Sequence, residues 1–354
     1  MHGRSSRVDF PTPTIMVKSN TDSSISDVAS GELSLSEVLE ARRLFKRFWP
    51  ITRLVEAESL SRLTGKTVYL KLENDLPTGS FKPRGALYAL STNRTKGVRE
   101  VVAFSTGNHG IAVAYSAHLL NINATIVLPH NANPVKRQKI LRLGAKLIEH
   151  GRNSYEASIV AKQYARDHGA YLLDDITNRH IVVGSATIAS EILDQAPSVD
   201  AVISPIGDSS LIRGIAGMMQ LMAPGVKTIG VQPKNAPTYY EAWKKGLPTD
   251  IRLRKTMADG LSTPKADLEN VRVLSHCVHD IVLVSEQQML SAVRHLLIEE
   301  HVVSEPAGAA STAAVVALNS TEFQNIVLIV SGANISPEVL RLALRTTGNT
   351  LKKS

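Results

Sequence analysis

Short runs rich in β-branched residues alternate along this chain with longer stretches whose apolar positions recur every three or four residues. Val68–Leu72 reads as a strand, as do Val101–Phe104, Ala124–Leu128, Lys146–Glu149, Val199–Ser204, Lys227–Val231, Ile281–Val284 and Asn325–Val330. Helical patterns lie near 108–120, 134–143, 153–168, 181–195, 210–222, 286–300 and 306–318. Strand and helix in alternation predict an α/β fold of mostly parallel sheets flanked by helices. The segment 246–275 is the least regular and predicts a long connection.

Length and composition narrow this picture. At 354 residues the chain is long for one core, so two domains are expected. The boundaries read as a flexible, serine-rich leader over 1–30, a large domain over 31–97 and 179–345, a small domain over 98–178 inserted within it, and a basic tail over 346–354. No apolar run approaches the roughly 18 residues of a membrane helix. Cys277 is the only cysteine. That excludes an internal disulfide framework and a cysteine-rich zinc site, and it suits a reducing, cytoplasmic setting. The net charge of +8 fits either nucleic acid or a small anionic ligand. The densest basic stretch, Lys136, Arg137, Lys139, Arg142 and Lys146, reads as a solvated helix face without interleaved aromatic residues, so no nucleic-acid partner is expected.

In parallel sheets, ligands bind beyond the carboxyl ends of the strands. Four loops there stand out. The first runs from Pro77 through Lys82 to Ala86. Ser80 is expected to cap the following helix and Pro83 to occupy its first turn. A positive helix end and the apolar Phe81 both disfavour the ammonium of Lys82, so its pKa is expected to fall, as suits a Schiff-base former. Most lysines are solvated surface charges, and this loop alone reads mainly that way. The second loop, Ser105-Thr106-Gly107-Asn108-His109-Gly110, places hydroxyls and N–H groups at a helix N-terminus, where a carboxylate binds. The third, Ser204-Pro205-Ile206-Gly207-Asp208-Ser209-Ser210-Leu211, again joins a strand to a helix and can cradle a phosphate through its backbone N–H groups. The fourth, Val330-Ser331-Gly332-Ala333-Asn334, ends an apolar strand with a small hydroxyl. Each of the last three also reads as an ordinary turn.

Together these loops resemble one family. The matching text is KLENDLPTGSFKPRGA at 71–86, STGNHG at 105–110, SPIGDSSLIRGIAG at 204–217, ADGL at 258–261, SEPAGAA at 304–310 and VSGAN at 330–334. The chain resembles the fold-type II pyridoxal-phosphate enzymes, the serine/threonine dehydratase and serine racemase group, whose two-domain architecture is tryptophan synthase β-like. The resemblance implies pyridoxal 5'-phosphate on Lys82, with Phe81 beside it. It assigns Asn108 to the ring hydroxyl, Gly207, Asp208, Ser209, Ser210 and Leu211 to the phosphate, and Ser331 to the pyridine nitrogen. Ser105, Thr106, Gly107 and His109 would hold the carboxylate of a small amino-acid substrate. The implied reaction is α,β-elimination from a serine- or threonine-like hydroxy-amino acid, giving a 2-oxo acid and ammonia. A β-replacement synthase, a racemase and a catalytically silent binding protein are the alternatives. A homodimer is expected.

Three positions depart from the family pattern. Its glycine-rich phosphate loop is here Gly207-Asp208-Ser209-Ser210, so Asp208 must turn away from a phosphate or find a cation such as Arg213. Gln232 and Thr238 stand where metal-binding carboxylates are expected, so no magnesium or calcium is predicted. Ala333 replaces a glycine and predicts a tighter loop.

Overall fold

The computed structural model describes residues 33–105, 107–130, 132–152, 154–316, 318 and 322–346. The leader over 1–30, Thr106 and the tail beyond 346 lie outside the described residues.

The large sheet contains β1 (Leu54–Glu56), β2 (Thr67–Leu72), β7 (Ala201–Pro205), β8 (Lys227–Pro233), β9 (Asp280–Val284) and β10 (Asn325–Val330). Their order is β1-β2-β10-β7-β8-β9. Only β1 runs antiparallel to its neighbour. A second, all-parallel sheet has the order β5-β4-β3-β6, from β3 (Glu100–Phe104), β4 (Asn123–Leu128), β5 (Lys146–Glu149) and β6 (Tyr171–Leu172). All four of its strands fall between β2 and β7 in the chain, so one sheet is interrupted by the other. The apolar runs of β7 and β10 are buried on both faces, as interior strands of a covered parallel sheet require.

The helices are α1 (Leu35–Phe45), α2 (Glu58–Thr64), α3 (Pro83–Thr95), α4 (Asn108–Leu120), α5 (Pro134–Arg142), α6 (Ser154–His168), α7 (Arg179–Gln195), α8 (Ser210–Met222), α9 (Thr238–Lys245), α10 (Leu268–Cys277), α11 (Glu286–Ile298), α12 (Pro306–Val315) and α13 (Pro337–Leu344). Their starts follow local chemistry. Asn133 caps α5 ahead of Pro134, Asp267 caps α10 by accepting from Glu269 N and Asn270 N, and Ser285 with Gln288 closes a capping box on α11. Helix α10 therefore begins inside the stretch expected to be a connection, because its aspartate cap outweighs the irregular pattern before it.

Helices α3 and α7 meet at Gly184, where a Cβ would lie 2.5 Å from Arg84 O. That close approach holds the head of α3 against the core. At the carboxyl edge of the large sheet, Val330 pairs with Leu72, so the loops after β2 and β10 leave side by side. A bridge between Ser80 and Gly332, with Phe81 N donating to Ser331 O at 3.0 Å and Ala333 N to Gly79 O at 2.8 Å, stitches those loops together. Among the described residues no helix is long and apolar enough to cross a membrane.

Candidate functional site

Lys82 is itself the N-cap residue of α3, with Pro83 at the first helical position. Pro83 sits as expected, but Ser80 does not cap. It is held in the bridge to Gly332, and its buried hydroxyl has no hydrogen-bond partner. The Lys82 side chain is 11% exposed, and its Nζ lies 5.0 Å from the Phe81 ring centroid.

Two carboxylates meet that nitrogen. Asp175 Oδ2 is 2.7 Å away, and Asp208 Oδ2 is in direct contact. Burial alone would depress the lysine pKa, but Asp175 and Asp208 outweigh it and raise it above the ordinary value. The expected fall is thus reversed. The local terms, helix end and Phe81, are weaker than two carboxylates delivered from distant loops. Burial also opposes ionisation of Asp175, yet His109 and Lys82 prevail and hold its pKa low. For Asp208, burial and the neighbouring Asp175 win over Lys82, and its pKa rises. Two adjacent carboxylates facing one cation divide in this way, one ionised easily and one reluctantly.

Asp175 was not among the expected site residues. It follows β6, whose two residues carry little strand signal; adjacent aspartates directly after a short apolar pair were the available clue. His109, buried in the first turn of α4, donates through Nε2 to Leu173 O at 3.0 Å and places Nδ1 3.5 Å from Asp175 Oδ2. The loop after β3 thereby grips the segment that carries Asp175. Within that loop, Ser105 Oγ accepts from Gly107 N at 2.9 Å.

The loop after β7 brings Gly207 through Leu211 to the same place. A Cβ on Gly207 would lie 2.2 Å from Gly260 O, so only glycine fits that approach. Ser209, the N-cap of α8, has φ of +80°, a left-handed conformation costing a non-glycine residue on the order of 1–2 kcal/mol. Its side chain is buried beside the Tyr239 hydroxyl. Asp208 Oδ1 accepts from Ser210 N at 2.8 Å and from Ser210 Oγ at 2.6 Å. The cation that Asp208 meets is Lys82, whereas Arg213 Nη2 donates to Ile176 O at 2.7 Å.

A third group of polar side chains flanks the site. Asn108 Nδ2 donates to Glu305, and Asn334 Nδ2 donates to Asn108 Oδ1 at 2.8 Å. Lys136 Nζ reaches Asp259 Oδ2 at 3.0 Å and Glu305 Oε2 at 3.1 Å, its stem against Gly107. Burial opposes the Lys136 ammonium, but Glu305 and Asp259 push its pKa up to about 12. Lys136 was expected on a solvated face and is buried; a run of basic residues does not reveal which one turns inward. Lys139 likewise donates to Asn334 Oδ1. Ser331, 7% exposed, follows β10. Gln232 donates to Ile206 O at 3.2 Å and accepts from Tyr240 N at 2.9 Å, while Thr238 donates to Thr263 O at 2.6 Å.

This donor set suits a pyridoxal phosphate. A buried amine, the Asn108 amide and the Ser331 hydroxyl match an aldehyde-bearing ring with polar edges. The buried hydroxyl of Ser80, lacking a partner, is a donor of the kind a bound ligand satisfies. The head of α8 already holds an anion, the carboxylate of Asp208, so it has the chemistry of a phosphate site.

Comparison with known proteins agrees. An L-threonine ammonia-lyase from Thermotoga maritima is 34% identical over 311 residues, 87% of this chain and 77% of that protein. A catabolic L-threonine dehydratase from Staphylococcus aureus is 35% identical over 310 residues, 86% of this chain and 89% of that one. The solved structure of maize serine racemase matches with a TM-score of 0.83 at 27% identity, covering 88% of this chain and 97% of its own. The family described as pyridoxal-phosphate dependent enzyme matches residues 47–332, from before β1 to the loop after β10, and the chain belongs to it.

Proposed function

We propose that this chain is a pyridoxal-phosphate-dependent dehydratase that converts a serine- or threonine-like hydroxy-amino acid to a 2-oxo acid and ammonia. The observation that carries this reading is the buried Lys82 amine at the head of α3, in a chain about one-third identical to a threonine ammonia-lyase and a threonine dehydratase. Net, water is lost and regained, ammonia leaves, and no outside oxidant is needed.

Bound in this site, the cofactor supplies an electron sink that acidifies the substrate Cα–H. The protein does the rest. Lys82 Nζ, released from its carboxylates, moves the proton at Cα. Ser105, Thr106, Gly107 and His109 receive the substrate carboxylate at the head of α4, where the helix N-terminus favours negative charge. The His109 ring is held in the first turn of that helix by Leu173 O. Asn108 and Ser331 orient the ring, Phe81 packs beside it, and the backbone N–H groups of Gly207 through Leu211, with the Ser209 and Ser210 hydroxyls, hold the phosphate. The small domain over 98–178, inserted between 31–97 and 179–345, carries the substrate loop, and the site lies between the two. Gln232 and Thr238 spend their side chains on Ile206, Tyr240 and Thr263, so no magnesium or calcium is expected at that position. The functional unit is a homodimer in the cytoplasm.

Borohydride reduction followed by peptide mapping tests the assignment. The expected result is a reduced cofactor on Lys82, with keto acid formed from L-serine or L-threonine. A reduced cofactor on another side chain, or none, overturns it. Following the enantiomer of recovered serine in the same assay separates elimination from racemisation.

A further inference from the structure

The cofactor reading leaves Asp208 unexplained. A carboxylate beside a phosphate is repulsive, yet Asp208 is directed into the loop rather than away from it. Three donors converge on it: Ser210 N at 2.8 Å and Ser210 Oγ at 2.6 Å on one oxygen, and Lys82 Nζ on the other. The first two are the donors that the head of α8 offers an anion. The third is the amine that would carry the cofactor. Beside them, Ser209 is buried, and its left-handed backbone holds the loop in the curved form an anion needs.

We propose that Asp208 is a built-in competitor for the cofactor phosphate: its carboxylate and the phosphate use the same donors at the head of α8, so one must leave for the other to bind. The identity of the phosphate rests on the function proposed above; the competition for an anion does not. Two anions sharing one buried set of donors repel, and each hydrogen bond to a charged acceptor that is withdrawn is costly. Cofactor entry therefore needs the Asp208 side chain to swing out, which takes one of the two carboxylates from the Lys82 amine at the same time.

Inorganic phosphate is the probe that isolates this claim. Titration calorimetry on the full-length, cofactor-stripped chain would compare wild type with Asp208→Gly and Asp208→Asn. Asp208→Gly should bind phosphate at least about 10-fold more tightly than wild type, since charged hydrogen bonds of this kind are each worth about that factor. Asp208→Asn, which keeps the shape and loses the charge, should fall between them. As a second readout, the preference for pyridoxal 5'-phosphate over pyridoxal should rise in Asp208→Gly by a similar factor. Both aldehydes meet Lys82, and only one carries the anion. If both variants bind phosphate no better than wild type, the competition does not exist. Failure of the cofactor reading looks different: no chain yields a reduced adduct on Lys82, while the phosphate titration still decides the role of Asp208.

Discussion

Two buried charge clusters begin two residues apart on α3, at Lys82 and Arg84, and they are built on opposite principles. Arg84 donates to Glu73 through Nε at 2.7 Å and Nη2 at 2.9 Å, and to Glu191 through Nη1 at 2.7 Å and Nη2 at 2.8 Å. Lys71 adds a second cation, reaching Glu191 at 2.7 Å, Gln195 at 2.8 Å and Thr52 O at 2.9 Å. Two cations face two carboxylates, and their donors are shared out among acceptors within the group. The Lys82 cluster sets one ammonium against two carboxylates, so its acceptors outnumber its cations. A saturated cluster holds the helix in place. An unsaturated one has chemistry left to do.

The most severe way to break the comparison is at Lys82. Lys82→Arg keeps a cation between Asp175 and Asp208 but removes the amine. Keto-acid formation should fall by at least about 10³-fold, in line with loss of a nucleophile and base, and the reduced adduct should vanish. The melting temperature should hold nearly constant. A variant that keeps its adduct would remove Lys82 from the chemistry.

Arg84→Met inverts that outcome. It leaves Glu73 and Glu191 without their shared guanidinium, both almost fully buried. Stripping one partner from a buried pair costs about 3–5 kcal/mol, so urea unfolding should shift by that amount. What remains folded should still form the Lys82 adduct. An Arg84→Met chain of wild-type stability would show that this network does not secure α3.

Between these extremes lies Lys136, one cation facing two carboxylates like Lys82, but with Asp259 side chain 41% exposed. Water screens that half of the cluster. Lys136→Met should therefore cost less than the arginine, about 1–3 kcal/mol in urea, chiefly through the buried Glu305 left with fewer donors. A loss as large as that of Arg84→Met would mean that Asp259 is shielded in solution.

The contrast also explains what the chain disclosed before folding. Interior strands such as β10 were legible because burial on both faces demands an unbroken apolar run. The loops after β2, β3, β7 and β10 were legible because glycines and hydroxyls gather where strands hand over to helices. Strands β1 and β6, three and two residues long, are too short to carry a pattern, and α1, α2, α9 and α13 lie where no apolar periodicity was read. Asp175 was invisible because it meets Lys82 across 93 positions of chain, and only the crossover from β6 to α7 brings it there. The same distance explains the reversed direction of the Lys82 pKa. Neighbours in sequence supply the helix end and Phe81; neighbours in space supply the two carboxylates.

Acid separates the clusters by sign, with the smallest effects. Burial opposes ionisation of Glu191, but Arg84 and Lys71 draw its pKa from 4.5 down to about 2. A depressed carboxylate adds stability above its unfolded pKa and loses it as pH falls through the folded one, so this contribution fades between about pH 4.5 and 2. Asp208 has the opposite sign. Its raised pKa means that ionisation costs the fold, a cost absent below the unfolded pKa and fully felt above the folded one. Asp208→Asn should therefore raise the melting temperature slightly at neutral pH, and the gain should shrink as the buffer is made acidic. Glu191→Gln should flatten the acid arm while lowering stability at neutral pH. Melting curves of the three chains across that range give the test. If Asp208→Asn lowers the neutral melting temperature, its bond to Lys82 outweighs the crowding by Asp175, and the second cluster is as settled as the first.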